Sequence, residues 1–389
     1  MTNHFKIGLD AKRAFHNFRG LGNYSRTLIE GLERYNSQFD LKLYTPPFKE
    51  ADVGFFLKEL HRAEILGPRS IISKALHPLW RSFSLSRSLS HDEIDLYHGL
   101  SHELPYGIDK FPGKKIVTIH DLIYLRYPEF FPWIDRKIYH SKFTYSTQTA
   151  DKIVAICEQT KKDLIHYLKT PADKIEVIYQ ACHPRFYEKW KTSKVEEIKR
   201  NYSIPNKPYI LYVGAFEKRK NLINLIHAFD IVSHHFDLDL VLVGNGRTYK
   251  DQMINLVDHY GLKERVHFIH NVKEDDLPGI YQGAKLFVFP SFYEGFGLPI
   301  VEALFSEVPV ITSLGSCFPE SGGPNSAYID PYSVDEMQRM MQEILSSEEK
   351  QYRMKTEGRL FVEKFHLQNT TKKLSDFYWS VINDKLVNS

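Results

Sequence analysis

Short apolar runs alternate with helical or irregular stretches along almost the whole chain. Such runs are typical of buried strands in parallel sheets that carry helices on both faces. A first series of predicted strands comprises Phe5–Leu9, Leu41–Tyr44, Ile94–His98, Lys115–His120, Ile153–Cys157 and Ile175–Tyr179. A second series comprises Tyr209–Val213, Leu238–Val243, Val266–Ile269, Leu286–Phe289, Val308–Thr312 and Ala327–Ile329. The two series predict an α/β protein with two doubly wound domains.

The junction between these domains is predicted near His183–Pro184, so that residues 1–182 and 183–365 form one domain each. A polar helix, Lys191–Tyr202, leads into the second domain, and a last helical segment covers about Leu367–Lys385. A chain of 389 residues is long enough for two domains of ordinary size.

Composition and charge narrow the function classes. Hydrophobic residues make up 42% and charged residues 25% of the chain, as in ordinary globular proteins. A net charge of +3 gives no indication of a nucleic-acid partner. Cys157, Cys182 and Cys317 show neither metal-binding nor redox spacing, which suits a reducing compartment. With no signal-peptide core and no run of membrane-spanning length, the chain is expected to be cytoplasmic.

The most informative stretch is residues 286–304, where a strand-type run, Leu286–Phe289, precedes a loop and then a helix. Gly295 and Gly297 punctuate the loop. Pro299 suits the first turn of the helix, because the N–H that proline lacks has no partner there. A glycine-rich loop that feeds a helix start presents backbone N–H groups to an anion.

Two carboxylates flank this anion seat: Glu294 in the loop and Glu302 on the helix. Carboxylates suit the hydroxyl pairs of sugars, although either glutamate alone would be an ordinary solvated or dipole-complementing residue. Together with the loop they indicate a sugar nucleotide. The spacing Glu-x7-Glu within Glu-Gly-Phe-Gly-Leu-Pro-Ile-Val-Glu-Ala resembles the signature of the retaining glycosyltransferases of family 4, which adopt the GT-B fold.

This resemblance implies two Rossmann-like domains that face a deep interdomain cleft. Residues 1–182 would bind the acceptor, residues 183–365 would bind the nucleotide sugar, and a terminal helix at 366–389 would cross back onto the first domain. The resemblance also implies that Glu294 holds the donor sugar and Glu302 the ribose. Backbone N–H groups would share in donor binding at Gly295, Phe296, Gly297 and Leu298.

A basic loop, Val213–Asn221, follows the first predicted strand of the second domain. Arg219 offers a planar fork for phosphate and Lys220 a mobile point charge, and the alternative is a solvated basic turn. The segment resembles the Arg-Lys-Asn variant of the family 4 phosphate-binding loop, although many members carry a further Arg where this chain has Ala215. The resemblance assigns Gly214 to donor binding, and Arg219 and Lys220 to the leaving diphosphate.

Two further glycine loops begin at Gly20 and Gly244. Both fail the dinucleotide fingerprint, because Ser25 and Tyr249 stand at the third glycine position, and an NAD-dependent oxidoreductase is therefore disfavoured. Gly20-Leu-Gly-Asn-Tyr is nevertheless similar to the Gly-Ile-Gly-Arg-Tyr loop of family 4. This similarity implies that the backbone at Gly20 and Gly22 approaches the donor diphosphate.

His120 ends a predicted strand, where catalytic groups of doubly wound folds are found. A histidine there can bond a sugar hydroxyl at neutral pH, and the alternative is a satisfied core histidine. The segment Val117-Thr-Ile-His-Asp-Leu-Ile-Tyr-Leu-Arg-Tyr-Pro-Glu resembles mannosyltransferase-like members of the family. In those members this histidine contacts the donor sugar.

His98, His102 and Glu103 form a second group at a strand end. The two histidines could be half of a metal site, but Gly99 and Pro105 indicate a loop and no third ligand has suitable spacing. The sequence therefore predicts a metal-free site in which this loop shapes the acceptor side.

Residues 68–90 carry Arg69, Lys74, Arg81 and Arg87 without an acid, interleaved with apolar residues such as Trp80. A basic amphipathic stretch can lie on an anionic membrane, and the alternative is a core-facing helix with a solvated basic face. Membrane contact would suit a polyprenyl-linked acceptor.

The sequence thus predicts retaining, metal-independent and cofactor-free hexosyl transfer from a nucleotide-diphosphate sugar to a hydroxyl acceptor, such as a lipid-linked or growing surface polysaccharide. The resemblance of residues 98–129 favours GDP-mannose and leaves UDP-sugars open, with the base contacted by backbone near Asn271 and Val272. The alternatives are a GT-B sugar-nucleotide epimerase or phosphorylase, and a non-catalytic sugar-nucleotide-binding protein.

Overall fold

The computed structural model describes residues 4–68, 80–81, 84–246 and 248–387, which build two parallel β-sheets flanked by helices. The first sheet contains β1 (Phe5–Asp10), β2 (Phe39–Tyr44), β3 (Glu64–Leu66), β4 (Leu96–Gly99), β5 (Lys114–Ile119), β6 (Lys152–Ala155) and β7 (Ile175–Val177). The second contains β8 (Tyr209–Val213), β9 (Asp239–Val243), β10 (Val266–Ile269), β11 (Leu286–Phe289), β12 (Val310–Ser313) and β13 (Ala327–Ile329). The prediction of an α/β fold with two doubly wound domains is confirmed.

Helices connect and follow these strands. Those before β8 are α1 (Lys12–His16), α2 (Gly20–Tyr35), α3 (Glu50–Leu57), α4 (Leu85–His91), α5 (Ile123–Arg126), α6 (Trp133–Thr149), α7 (Glu158–Leu168) and α8 (Thr192–Asn201). Those after it are α9 (Leu222–Ser233), α10 (Thr248–His259), α11 (Leu277–Gln282), α12 (Leu298–Phe305), α13 (Phe318–Gly322), α14 (Val334–Leu345), α15 (Glu348–Phe361) and α16 (Leu367–Val387). None of the helices in the described part of the chain combines the length and the apolarity needed to cross a bilayer.

The first sheet has the strand order β3-β2-β1-β4-β5-β6-β7, with every neighbouring pair parallel. Ile7 and Leu9 of the central strand β1 are fully buried. The chain first winds outward from β1 to β3 and then returns to place β4 on the other side of β1. The strand order therefore reverses between β1 and β4, which is where doubly wound folds open a crevice for ligands. The sequence missed β3, because this edge strand has three residues and none is fully buried.

The second sheet has the order β10-β9-β8-β11-β12-β13, again with all neighbouring pairs parallel. Its strand order reverses between β8 and β11 for the same reason. The loops that leave the carboxyl ends of these two strands are Val213–Asn221 and Pro290–Gly297. The basic loop and the glycine-rich loop therefore start at adjacent points of one sheet edge.

Contacts divide the chain into two units, one formed by residues up to Ala181 together with those from His366 onward, the other by Cys182–Phe365. Within the first unit, α16 packs against α2 and the sheet. The Tyr378 hydroxyl lies 2.5 Å from the His98 Nδ1 atom, and the Trp379 ring contacts Phe5 edge-on with centroids 4.9 Å apart. The last helix thus completes the core of the unit in which the chain began.

Gly31 of α2 permits this close approach of α16. A Cβ atom at Gly31 would lie 2.2 Å from the Thr371 Oγ1 atom and 2.9 Å from a Leu367 methyl carbon. A Gly31→Ala substitution is expected to lower the free energy of unfolding by about 1–2 kcal/mol, because overpacking outweighs the helix-propensity gain of about 1 kcal/mol. Urea denaturation measures this difference.

Gly54 of α3 is the matched control, since a Cβ atom there meets nothing within 4 Å. Gly54→Ala is expected to leave stability unchanged or to raise it by up to about 1 kcal/mol. Equal effects of the two substitutions would contradict the packing of α2 against α16.

Candidate active site

The glycine-rich loop of the second unit ends where α12 begins, as predicted. Gly297 has φ 92° at the position that precedes the helix. Only glycine takes this conformation freely, and a Cβ atom there would also lie 3.1 Å from the Ser321 hydroxyl oxygen. Pro299 occupies the first turn. The first amides of a helix have no intrahelical acceptor, so the N–H groups at the start of α12, which begins at Leu298, are available to bind an anion.

The basic loop lies against this glycine-rich loop. Lys218–Lys220 form a single 3-10 turn after β8, and the backbone N–H of Phe292 donates to the Arg219 carbonyl oxygen at 2.9 Å. The adjacency of β8 and β11 in the sheet brings the two loops together, although 74 positions separate Lys220 from Glu294.

Asn221 fixes the basic loop in place, a role that the sequence interpretation missed. Its backbone has φ 61°, and its buried side-chain amide donates to the carbonyl oxygens of Pro290 at 3.1 Å and Pro331 at 2.6 Å. The signal in the sequence was an asparagine directly after the basic pair and before a helix, since asparagine tolerates left-handed backbone. Asn221 therefore acts as a clamp between three loops of the second unit.

Glu294 is held by both cations of the basic loop. Its carboxylate accepts from the Arg219 guanidinium at 3.0 Å and from the Lys220 ammonium at 2.5 Å. Arg219 also donates to the exposed carboxylate of Glu217 at 3.0 Å, and Lys220 lies 5.0 Å from the centre of the Phe289 ring. The sequence assigned Glu294 to the sugar and the cations to the diphosphate as separate tasks, whereas the structure joins them in one cluster.

The electrostatics of this cluster follow from burial and pairing. Burial alone would raise the pKa of Glu294, but the charges of Lys220 and Arg219 outweigh it and lower that pKa to about 2. Burial lowers the pKa of Lys220, and the Glu294 charge opposes this effect. Glu294 is therefore ionised at neutral pH, and the two cations outnumber it by one charge.

Glu302 lies on α12 in a different environment. Burial raises the pKa of its carboxyl group to about 7, although a hydrogen bond from the Tyr281 hydroxyl at 2.9 Å and the Arg185 charge favour the ionised form. Arg185 is itself paired with Glu274 and Asp275, at 3.3 and 3.1 Å. The two glutamates of the Glu-x7-Glu spacing thus differ: one is a buried anion and the other is close to half protonated at neutral pH.

The neighbouring loops of this sheet edge pack through glycines. Gly214, with φ 155°, donates its N–H to the Val243 carbonyl oxygen at 2.9 Å, and a Cβ atom at Gly244 would lie 1.9 Å from the Gly214 oxygen. The loops that follow β8 and β9 therefore meet at Gly214 and Gly244. Asn271, with φ 54°, and Val272 follow β10 at the same edge. Their contact with a nucleobase stays a prediction.

Gly20 and Gly22 do not form the loop that the sequence predicted. They lie in the first turn of α2, which begins at Gly20. A Cβ atom at Gly22 would lie 1.7 Å from the Asn17 carbonyl oxygen, so this glycine admits the preceding backbone, while Gly20 meets nothing within 4 Å. Their approach to a diphosphate stays a prediction.

His98 and His120 lie in the interior of the first unit. Both ring nitrogens of His98 have partners, Thr118 Oγ1 at 2.8 Å and Tyr378 at 2.5 Å, and its side chain is fully buried. This placement corrects the assignment of His98 to an acceptor surface, because β4 directs the side chain into the core. His120 pairs with the Leu100 carbonyl oxygen at 2.9 Å and with Gln180 at 3.2 Å.

Burial lowers the pKa of His98, His102 and His120 alike, in each case to about 3. The three rings are neutral at physiological pH and do not serve as proton carriers there. The His102 ring stacks on Phe143 with centroids 4.5 Å apart. A bond from His120 to a sugar hydroxyl stays a prediction, and it would replace the present contact with Gln180.

Glu103 belongs to a charged pocket at the reversal point between β1 and β4. The Arg81 guanidinium donates to the Asp10 carboxylate at 2.5 Å and to the Glu103 carboxylate at 2.7 Å. The Lys142 ammonium donates to the Glu103 carboxylate at 3.0 Å. Burial would raise the pKa of Glu103, but the charges of Arg81 and Lys142 lower it to about 2. The other lining residues of this pocket, which is open to solvent, are Leu104, Pro105, Tyr106, Tyr145 and Ser146.

Most of segment 68–90 lies outside the described residues, since residues 69–79 and 82–83 are not described. Trp80, Leu85 and Leu89 belong to the buried core of the first unit, and Arg81 is paired with carboxylates. For these described residues the structure supports the core-facing alternative. Among the residues with described positions, no group of three or more potential His, Cys, Asp or Glu metal ligands occurs.

The raised pKa of Glu302 makes stability depend on pH. Between pH about 4.5 and 7 the folded carboxyl group binds a proton that the unfolded chain has released, so stability falls as pH rises. Glu302→Gln is expected to remove this dependence. The free energy of unfolding of the variant, relative to that of the unchanged protein, should therefore be higher at pH 8 than at pH 5 by about 1–3 kcal/mol. Urea denaturation at both pH values tests this.

Glu349→Gln, at an exposed position in the first turn of α15, is the control and should shift neither value. An identical pH dependence in the Glu302→Gln variant and the unchanged protein would show that the carboxyl group titrates normally.

Comparison with known proteins places this chain among the glycosyltransferases. The family model for glycosyl transferases group 1 matches residues 194–361, and that for glycosyltransferase family 4 matches residues 18–186. The chain is 26% identical over 376 residues to the O-antigen chain mannosyltransferase B of Escherichia coli. This alignment covers 92% of this chain and 95% of the relative. It is 29% identical over 285 residues to the serotype-specific mannosyltransferase WbdA of Escherichia coli, covering 70% of this chain and 34% of that longer protein.

A crystal structure of a glycosyltransferase from Rickettsia africae ESF-5 has the same fold, with a TM-score of 0.76 and 18% sequence identity over 98% of this chain and 99% of that one. The family 4 model covers most of the first unit, and the group 1 model covers most of the second unit, which contains the glycine-rich and basic loops. The chain therefore belongs to the family 4 glycosyltransferases with the GT-B fold.

Proposed function

We propose that this enzyme transfers a mannosyl residue from a nucleotide-diphosphate mannose, with GDP-mannose favoured, to a hydroxyl group of a growing surface polysaccharide. The observation that carries the proposal is the Arg219–Glu294–Lys220 cluster beside the start of α12. The names of two relatives, both mannosyltransferases and one an O-antigen enzyme, support the choice of sugar and pathway class.

The cluster suits the departing diphosphate. Arg219 and Lys220 carry one positive charge more than Glu294, and the first amides of α12 add the positive end of a helix. The bond of Arg219 to Glu217 involves an exposed carboxylate, and exposed pairs of this kind contribute little. A phosphate of the donor can therefore replace Glu217 as the partner of the Arg219 guanidinium at little cost in free energy.

The reaction we propose breaks the bond from the sugar C1 atom to the phosphate oxygen and forms a bond from C1 to the acceptor oxygen on the same face. The acceptor proton passes to the departing phosphate, so the enzyme supplies no nucleophile and no organic cofactor. Its contributions are positioning and stabilisation of developing negative charge. Glu294 would hold sugar hydroxyls through lone pairs that its two cations leave available.

The nucleoside part of the donor would lie along the same sheet edge. Glu302 would accept from the ribose hydroxyls in its ionised form, and the backbone near Asn271 and Val272 would contact the base. A carboxyl group that titrates near neutral pH can donate or accept there, which makes donor affinity sensitive to pH. A UDP-sugar remains the alternative donor.

The acceptor side would be the pocket lined by Asp10, Arg81, Glu103, Tyr106 and Tyr145 in the first unit. The paired carboxylates accept from hydroxyl groups, and the Tyr106 and Tyr145 rings, with centroids 4.8 Å apart, offer an apolar wall. Such a combination fits a sugar better than a free phosphate, because the pocket cations are already neutralised by Asp10 and Glu103.

Removal of either cation of the basic loop should act on turnover. Lys220→Ala and Arg219→Ala are each expected to lower kcat by about a hundredfold to a thousandfold, because one preorganised donor to developing charge contributes about 3–4 kcal/mol. Lys218→Ala, in the same turn but exposed, is the matched control with little effect.

Glu302→Gln should act mainly on the KM for the donor and less on kcat than either cation variant. Loss of turnover in Glu302→Gln with donor affinity preserved would refute its assignment to the ribose. Equal kcat values for Lys220→Ala and Lys218→Ala would refute the assignment of the cluster to the leaving group.

The base is tested by thermal denaturation with GDP, UDP, ADP and dTDP at equal concentrations. GDP is expected to raise the Tm most, because a ligand that binds only the folded state stabilises it by RT ln(1 + [L]/Kd), so that at equal concentrations the tightest ligand gives the largest shift. A larger shift with UDP would select the alternative donor, and no shift with any nucleotide would contradict donor binding altogether.

A further inference from the structure

The first half of α6 exposes a group of large apolar side chains. The exposed fractions are 60% for Trp133, 54% for Ile134 and 46% for Ile138, and Tyr139 is also exposed. Single exposed apolar residues are ordinary on protein surfaces, but Trp133, Ile134 and Ile138 lie within about 140° of one another around the helix and form a patch. A patch of this kind marks a surface that contacts something other than water.

The packing of α6 explains why the apolar side chains of its first half are exposed. The buried residues of the helix, Phe143, Ser146 and Thr147, all belong to its second half. Tyr139 still contacts Phe143, with ring centroids 6.2 Å apart. Trp133, Ile134 and Ile138 precede Tyr139 in the helix and remain exposed.

The charges around the patch are mainly positive. Lys137 places its ammonium group 4.6 Å from the centre of the Trp133 ring, and Arg136 precedes it in the helix, whereas Asp135 is the acid of the first turn. Tryptophan and isoleucine beside lysine and arginine are the composition of helices that lie in the interface of an anionic bilayer.

The patch continues toward the charged pocket of the same unit. Ile134, Ile138, Lys142 and Tyr145 follow the spacing i, i+4, i+8 and i+11, which places them on one stripe of the helix. Lys142 and Tyr145 line the pocket that we assign to the acceptor. Ile138 lies about 6 Å along the helix axis from Lys142, at 1.5 Å per residue.

We propose that Trp133, Ile134 and Ile138 seat the first unit on an anionic membrane surface. A glycan carried by a membrane lipid would then reach the pocket along the stripe that ends at Lys142 and Tyr145. This inference rests on the proposed acceptor pocket for its purpose, but the membrane contact is tested independently of glycosyl transfer.

Co-sedimentation with vesicles of phosphatidylglycerol and phosphatidylethanolamine tests the contact on the full chain. The double variant Trp133→Ser/Ile138→Ser is expected to lower the partition coefficient at least about tenfold, because two large apolar side chains no longer enter the interface. Binding of the unchanged protein should also weaken with added salt and on vesicles without the anionic lipid.

Tyr352→Ser/Leu360→Ser is the matched control, because these side chains on α15 are 71% and 73% exposed. This variant should sediment like the unchanged protein, which separates a specific patch from general surface hydrophobicity. Unchanged far-ultraviolet circular dichroism and Tm of both variants confirm that they are folded.

Vesicle binding that is absent in the unchanged protein, or equal in both double variants, overturns the inference. Size-exclusion chromatography with light scattering tests a second outcome. If the unchanged protein is dimeric and the Trp133→Ser/Ile138→Ser variant is monomeric, the patch joins two copies of the chain instead. The nucleotide thermal shift should persist in this variant, so failure of membrane binding and failure of donor binding are distinguishable.

Discussion

The carboxylate of Glu294, held between Arg219 and Lys220, is the interaction on which the second unit's chemistry depends. Taking a charge out of water costs several kcal/mol, and pairing recovers that cost only when the geometry is good. Two cations on one buried carboxylate satisfy this condition, and the further carboxylate on Arg219, that of Glu217, is exposed. The basic loop is thereby held in place before any substrate arrives, which is the preorganisation that stabilises a departing anion.

Backbone contacts support the same cluster. Asn221 bonds the carbonyl oxygens of Pro290 and Pro331, and Phe292 donates to the Arg219 carbonyl oxygen. Because these bonds connect the basic loop to the glycine-rich loop, neither loop can shift without moving the other. Gly297 then turns the chain into α12, so that cations, carboxylate and helix start occupy one edge of one sheet.

The two sheets share one architectural rule and differ in chemistry. In each, the strand order reverses next to a central strand, β1 in the first and β8 in the second, and a charged cluster lies at that reversal. In the second unit Arg219 and Lys220 share the buried carboxylate of Glu294, and the second carboxylate on Arg219, that of Glu217, is exposed, which suits exchange for a diphosphate. In the first unit Arg81 and Lys142 are matched by Asp10 and Glu103, which suits hydroxyl groups more than anions. His98, whose two ring nitrogens are bonded to Thr118 and Tyr378, is neutral and belongs to the core of the first unit.

The sequence by itself determined the parallel-sheet fold, the family and the loops that carry the site, because burial pattern and glycine placement are local properties of the chain. It also located Arg219, Lys220 and Glu294. Only the tertiary structure decided that these three form one cluster, since 75 positions separate Arg219 from Glu294 and the order of strands in the sheet brings them together.

The same limit explains what was mispredicted. His98 ends an apolar run, and a run does not reveal which face of a strand a polar side chain occupies; the partners that bury it, Thr118 and Tyr378, come from another strand and from the last helix. Gly20 and Gly22 appeared to be loop glycines because glycine disfavours helices. In the structure both lie in a helix, and Gly22 lacks a Cβ atom where the Asn17 carbonyl oxygen occupies the space. Local pattern fixes which residues are buried or turned, whereas contact partners depend on distant segments that meet only in the folded chain.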